Sequence, residues 1–162
     1  MEYRQLGSSG LRVSALGMGG NVFGPPRQDL AASRRTLDAA LDAGVNFIDT
    51  AHFYNEGRSE EFLGELLTGR RQHVLIATKF HLLNLDGETA AARVRRHCEE
   101  SLRRLRTDHL DLFQIHFLTP GFALEEVLDT LAGLVQAGQV RCIGQCNFSA
   151  WRHVHADALA QR

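Results

Sequence analysis

Three ionisable residues close three consecutive apolar runs of this chain. Asn46-Phe47-Ile48 ends in Asp49, Leu75-Ile76-Ala77-Thr78 ends in Lys79, and Leu112-Phe113-Gln114-Ile115 ends in His116. Tyr54 lies on the loop that follows Asp49. A lysine beside a phenol favours the phenolate and draws the tyrosine pKa below its ordinary value of about 10. A carboxylate beside that lysine keeps it charged and in place, and a histidine can hydrogen-bond a substrate oxygen. Together such groups suit a general acid that gives a proton to a carbonyl oxygen.

That chemistry needs the runs to lie side by side and to point the same way. Val45–Asp49, His73–Lys79, Leu110–His116 and Val140–Cys146 are largely apolar rather than alternating, which suits strands buried on both faces of a parallel sheet. Ser14–Gly19 precedes them as a weaker, glycine-bearing strand. Tyr3–Leu6 and Leu11–Val13 flank Gly7-Ser8-Ser9-Gly10 and predict a small hairpin.

Helical patterns fill the intervals. Asp29–Ala43 carries Leu37, Ala40 and Leu41 on one side and is closed by Gly44. Ser59 is expected to cap a short helix with Glu60 and Glu61 in its first turn and Phe62, Leu63, Leu66 and Leu67 on its apolar face. Thr89–Leu105 places Val94, Cys98, Leu102 and Leu105 on one stripe, so Cys98 reads as core. Leu124–Ala137 is closed by Gly138, and Ala150–Ala160 forms a last helix.

From Leu16 through Phe47, Ile76 and Phe113 to Ile143, strand plus helix recurs at a pitch of roughly 32 residues, the βα unit of a parallel α/β fold. Eight units at that pitch would need roughly 250 residues, and the chain has 162. The expected fold is therefore α/β of the (β/α)8 TIM-barrel type, here an incomplete barrel of about five βα units behind an N-terminal β-hairpin. Residues 1–162 are taken as a single domain. A complete open five-stranded sheet is the competing architecture. It would ordinarily bring a phosphate-binding fingerprint, and Gly17-Met18-Gly19-Gly20-Asn21-Val22 puts Val22 where the last glycine of G-x-G-x-x-G belongs.

The motifs resemble those of the aldo/keto reductases. Phe47-Ile48-Asp49-Thr50-Ala51 with Tyr54 carries the likeness, with Gly57-Arg58-Ser59-Glu60 and Ala77-Thr78-Lys79. Asp111-Leu112-Phe113-Gln114-Ile115-His116, and Ile143-Gly144 followed by Asn147-Phe148-Ser149, extend it over nearly the whole chain from Leu6 onward. The resemblance implies reduction of an aldehyde or ketone with NADPH by hydride transfer. It makes Tyr54 the proton donor, tuned by Lys79 and Asp49, with His116 orienting the carbonyl. Asn147 would hold the nicotinamide carboxamide, Gly20 and Asn21 match the first-strand loop near it, and Cys146 stands where the family usually has serine. The family takes its cofactor-phosphate contacts from strands later than Arg162. A non-catalytic pseudoenzyme, a binding or regulatory module, or an inactive fragment is therefore the alternative to a reductase.

Composition narrows the partners. Apolar residues at 44% suffice for one sizeable core, and a formal charge of −1 offers no basic field for nucleic acid. No apolar run approaches a membrane span. The first ten residues carry neither a basic leader nor an apolar stretch, and three scattered cysteines suit a reduced, cytoplasmic setting. Open sheet edges lead to the expectation that the isolated chain self-associates. No metal is expected, because Asp49, His52 and His116 lack the H-x-H or additional strand-end carboxylate that would complete a ligand set. Phe23, Phe53, Phe80 and Phe117 are placed to line an apolar pocket, and core packing explains them almost as well.

Overall fold

The computed structural model describes residues 1–83, 87–118 and 123–161. The chain opens with β1 (Tyr3–Gln5) and β2 (Arg12–Ser14), paired antiparallel with Tyr3 opposite Ser14. A parallel sheet follows, built from β3 (Met18–Gly19), β4 (Phe47–Asp49), β5 (Leu75–Leu82), β6 (Leu110–Leu118) and β7 (Val140–Gln145). The helices between and after them are α1 (Leu30–Asp42), α2 (Arg58–Leu66), α3 (Ala90–Leu105), α4 (Leu124–Gln136) and α5 (Ala150–Ala160).

The strand order is β3-β4-β5-β6-β7, the order of the sequence itself. A doubly wound sheet reverses its order at a switch point, and this one does not. Right-handed crossovers in strict succession put every helix on the same face of the sheet, where α1 packs on α2, α2 on α3, α3 on α4 and α4 on α5. This is the winding of a (β/α)8 barrel, and the open-sheet alternative falls.

Successive strand residues point to opposite faces, which decides who meets the helices. Ile48, Ile76, Phe80, Phe113 and Ile115 point outward and form the core with Leu37, Leu63, Val94, Cys98, Val127 and Leu131 from the helices. The alternate residues Asp49, Lys79, Gln114 and His116 share the inner face. The hairpin closes the other end of the sheet, where Asn46 Oδ1 accepts from Ser14 N at 2.7 Å and Asn46 Nδ2 donates to Arg12 O at 3.0 Å.

Helix boundaries follow their caps. Asp29 accepts from Ala32 N at 2.7 Å ahead of α1, and Thr89 accepts from Ala92 N at 3.1 Å ahead of α3. Three expectations need correction. The first strand is confined to Met18–Gly19, and Leu16, taken as its centre, is 66% exposed. Ser59 does not cap α2. Gly57, at φ 87°, occupies the cap position, and Ser59 lies inside the helix with its hydroxyl donating to Gly20 O at 2.7 Å. Finally, β5 runs past Lys79 to Leu82 and β6 past His116 to Leu118, so neither residue ends its strand. No described helix is long and apolar enough to cross a membrane.

Candidate active site

Lys79 reaches the inner face from the middle of β5 and is only 4% exposed. Its ammonium donates to Asp49 Oδ1 at 2.5 Å and to Thr50 O at 2.8 Å. The register that pairs Asp49 with Ala77 sets this contact, since it puts Lys79 one residue-pair further along the same face. The Lys79 ammonium also stands 5.1 Å from the centre of the Tyr54 ring, within the range of a cation–π contact.

Tyr54 begins a tight turn, Tyr54–Gly57, that leads into α2. Its ring meets His116 edge-on, with centroids 6.0 Å apart. His116 is buried against two aromatic rings: Phe53 stacks on it at 5.0 Å and Phe117 at 4.4 Å, the two phenyl rings lying 6.5 Å from each other. Burial first, and the Lys79 charge second, lower its pKa to about 4. It is therefore a neutral imidazole at pH 7, and its buried Nδ1 has no hydrogen-bond partner among the described residues.

Asp49, Lys79, Tyr54 and His116 thus form one contiguous group. Phe53 and Phe117, both more than a third exposed, flank it. Phe23 and Phe80 do not. They are fully buried, and Phe80 packs on Phe113 in the helix-side core, so half of the expected aromatic lining is structural. Strand alternation explains the split, because Phe80 follows the inward Lys79 and must point outward.

The remaining expected residues surround this group. Cys146 follows β7 and its backbone N–H bonds Ile115 O at 2.8 Å. Asn147 adopts a left-handed backbone at φ 56° and donates from Nδ2 to His116 O at 3.0 Å. That bond fixes its amide plane. A fixed amide beside a thiol is a donor–acceptor set that fits a carboxamide-bearing ring. Gly20 is held by its own packing: a Cβ there would meet Ser59 Oγ at 3.0 Å and Asp49 O at 3.3 Å. Its lack of side chain lets the β3 loop lie against β4 and α2. Asn21 is exposed at the rim, where its carbonyl accepts from Asn55 Nδ2 at 3.1 Å.

Sequence reasoning missed two supports. Asn55 also donates to Phe23 O at 2.5 Å, tying the Tyr54 turn to the β3 loop. Its φ of 49° and the 58° of Glu56 put two successive residues in the left-handed region. Asn-Glu-Gly after Tyr54 was the available signal, since Asn tolerates that region. Glu60 is the second: fully buried, it accepts from Thr78 Oγ1 at 2.7 Å and pairs with Arg104 at 3.3 Å, and burial raises its pKa. Arg104 in turn donates to His52 O at 2.8 Å, which fastens the start of the Tyr54 loop.

Comparison with known proteins places the fold in a family. The family model described as the aldo/keto reductase family matches residues 15–160. An aldo-keto reductase of Bacillus subtilis, YhdN, is 38% identical over 92% of this chain and 48% of its own length. The aryl-alcohol dehydrogenase [NADP(+)] of Phanerodontia chrysosporium is 34% identical over 92% of this chain and 45% of its own. A crystal structure of a thermostable aldo-keto reductase with the inhibitor epalrestat superposes at a TM-score of 0.88 and 32% identity, covering 100% of this chain and 60% of that one. The chain spans about half the length of the curated relatives it matches.

Proposed function

The chain belongs to the aldo/keto reductase family, and from that premise we propose that it supplies the proton-donating centre of an oxidoreductase that reduces an aldehyde or ketone to an alcohol with NADPH. The observation that carries the reading is the buried Lys79 ammonium, held between Asp49 and Thr50 and facing the Tyr54 ring. A buried cation costs several kcal/mol unless paired, and this one is spent beside a phenol.

In this reading Tyr54 transfers its hydroxyl proton to the carbonyl oxygen. Lys79 offsets the negative charge that develops on the phenol oxygen as the proton leaves. Asp49 and the Thr50 carbonyl keep the ammonium from turning to solvent. His116, neutral and packed against Phe53 and Phe117, orients the carbonyl oxygen by a hydrogen bond. The two phenyl rings exclude water and favour a substrate with an apolar flank. Asn147 and Cys146 would hold the nicotinamide amide, with the Gly20–Asn21 loop beside it. When bound, the nicotinamide supplies the hydride that completes reduction at the carbonyl carbon. The name of the Phanerodontia chrysosporium relative supports the phosphorylated form of the cofactor.

Replacement of Tyr54 by Phe tests the reading. Turnover of aldehydes with NADPH should fall by about 10²–10⁴-fold, the usual worth of a positioned acid, while NADPH affinity stays within about twofold. Full turnover in Tyr54→Phe overturns the assignment. Saturable NADPH binding by the wild-type protein without turnover of any carbonyl would favour a binding module instead.

A further inference from the structure

Next to Phe53, whose ring centre lies 5.5 Å from that of His52 and 5.8 Å from that of His81, three histidines from three elements converge. His52 comes from the loop after β4, His81 from the end of β5 beyond an irregularity at Phe80/His81, and His97 from the middle of α3. One ring nitrogen from each lies within 4.8 Å of the others. The His52 and His97 ring centres are 4.0 Å apart and those of His52 and His81 4.8 Å. No part of the proposed carbonyl chemistry uses His81 or His97.

The hydrogen bonding of these rings suits coordination. His52 Nδ1 meets Lys79 O at 2.9 Å, where a neutral ring must donate, leaving its Nε2 with a free lone pair. Metal-bound histidines ordinarily donate their second nitrogen to a backbone carbonyl or carboxylate in this way. His97 is 5% exposed, yet neither of its ring nitrogens has a hydrogen-bond partner among the described residues. Its nearest acid, Glu100 Oε2, stands 3.6 Å from Nδ1. Buried imidazoles are rarely left so. Among the described residues His81 Nδ1 has a 3.5 Å contact from Leu83 N, long enough to give up on ligation.

The protonation state also suits coordination. Burial lowers His52 to about 4 and His97 to about 3, and lowers His81 as well, so all three are neutral at pH 7. The neighbouring cations have acidic partners: Arg93 and Arg96 bond Glu88, Arg96 bonds Glu100, and Arg104 pairs with Glu60. His81 is partly exposed and gives an ion a way in.

We propose that His52, His81 and His97 form a binding site for a borderline divalent transition ion of the zinc class. Imidazole ligands suit such ions. A tetrahedral ion with bonds of about 2.0–2.1 Å sets its nitrogens about 3.3 Å apart, so the rings close by about 1 Å, with water in the fourth position. The ion is structural: it ties the Phe53–Tyr54 loop, through His52, to β5 and α3. The expectation of a metal-free protein, drawn from Asp49, His52 and His116, gives way to a different set that shares only His52.

The test is a titration of metal-stripped protein with Co²⁺, followed by its visible absorption and by competition with Zn²⁺. A single equivalent should bind with the intense bands of tetrahedral cobalt, and Zn²⁺ should displace it. His97→Gln and His81→Gln should each weaken binding by at least about tenfold, whereas His153→Gln on α5 should not. If His97→Gln fails to fold, the half-exposed His81→Gln carries the test alone. Absence of binding up to about 1 mM Co²⁺, or undiminished affinity in His81→Gln, overturns the proposal. Either result is independent of whether the protein reduces carbonyls.

Discussion

The Lys79 ammonium sits 2.5 Å from Asp49 Oδ1, and the two partners are unequally placed: the lysine side chain is 5% exposed and the aspartate 38%. The asymmetry predicts different outcomes for their removal. In Asp49→Asn a buried ammonium loses its counter-charge and cannot rehydrate, so stability should fall by about 1–3 kcal/mol, less than the 3–5 of a fully buried pair. In Lys79→Met the carboxylate left behind can turn to water, so the loss of stability should be smaller. Turnover should fall in both, and more in Lys79→Met, by about 10²-fold or beyond. Urea midpoints beside kcat values check this, and an inverted order of stabilities would contradict the burial argument.

Asn55 bears on the same chemistry from the backbone side. Its amide donates to Phe23 O and Asn21 O while its own φ is 49°. Asn55→Ala forfeits both bonds and keeps the strained conformation, at a cost of about 1–3 kcal/mol. Asn55→Gly relieves the backbone but not the bonds, and should fall between alanine and wild type. Because Tyr54 starts this turn, both variants should lower kcat more than they raise KM. An Asn55→Gly protein less stable than Asn55→Ala would mean that the bonds and the strain have been misjudged.

The βα pitch and the helix ends were legible because the physics behind them is local. Strands buried on both faces are continuous apolar runs, Asp29 caps its helix with its own side chain, and Gly44 and Gly138 close theirs with a left-handed backbone. The strand ends at Lys79 and His116 were misplaced by the same rule. A polar residue ends an apolar run in the sequence, yet the inner face of this sheet accepts polar side chains and the strands continue beneath them. Ser59-Glu60-Glu61 has the composition of a helix start, but Gly57 takes the cap and frees Ser59 for Gly20. The meeting of His81 and His97 was invisible, since nothing in either residue's neighbourhood signals a partner on another element.

At the opposite end of β6, Asp111 shows what a charge looks like when it serves the fold. It is 1% exposed and accepts from Arg71 Nη2 at 2.7 Å, Arg141 Nη1 at 2.7 Å and Ile76 N at 2.9 Å. These bonds link the starts of β5, β6 and β7 at the end of the sheet remote from Tyr54. Asp111→Ala leaves the buried Ile76 amide without its acceptor and removes the charge that Arg71 and Arg141 share, and should cost about 1–3 kcal/mol, since both arginines reach water. The folded fraction should keep its kcat, since nothing in the Tyr54 group contacts this end. Chemical denaturation with activity measured per folded molecule separates the two effects.

His116 yields a prediction in pH. Its folded pKa of about 4 lies below the ordinary histidine value of 6.5, so between those limits the unfolded chain binds the extra proton and the folded one does not. The contribution of His116 to stability is then fully present above about pH 6.5 and is lost as pH falls towards 4, at no more than about 1.4 kcal/mol per pH unit. His116→Gln cannot take that proton, so its stability should depend less steeply on pH across this window. Carbonyl reduction by the wild type should likewise show no histidine ionisation near pH 6.5, because the imidazole that orients the substrate is already neutral there. Equal pH slopes for His116→Gln and wild type would show that the ring titrates normally in the folded protein, and that Phe53 and Phe117 do not shield it.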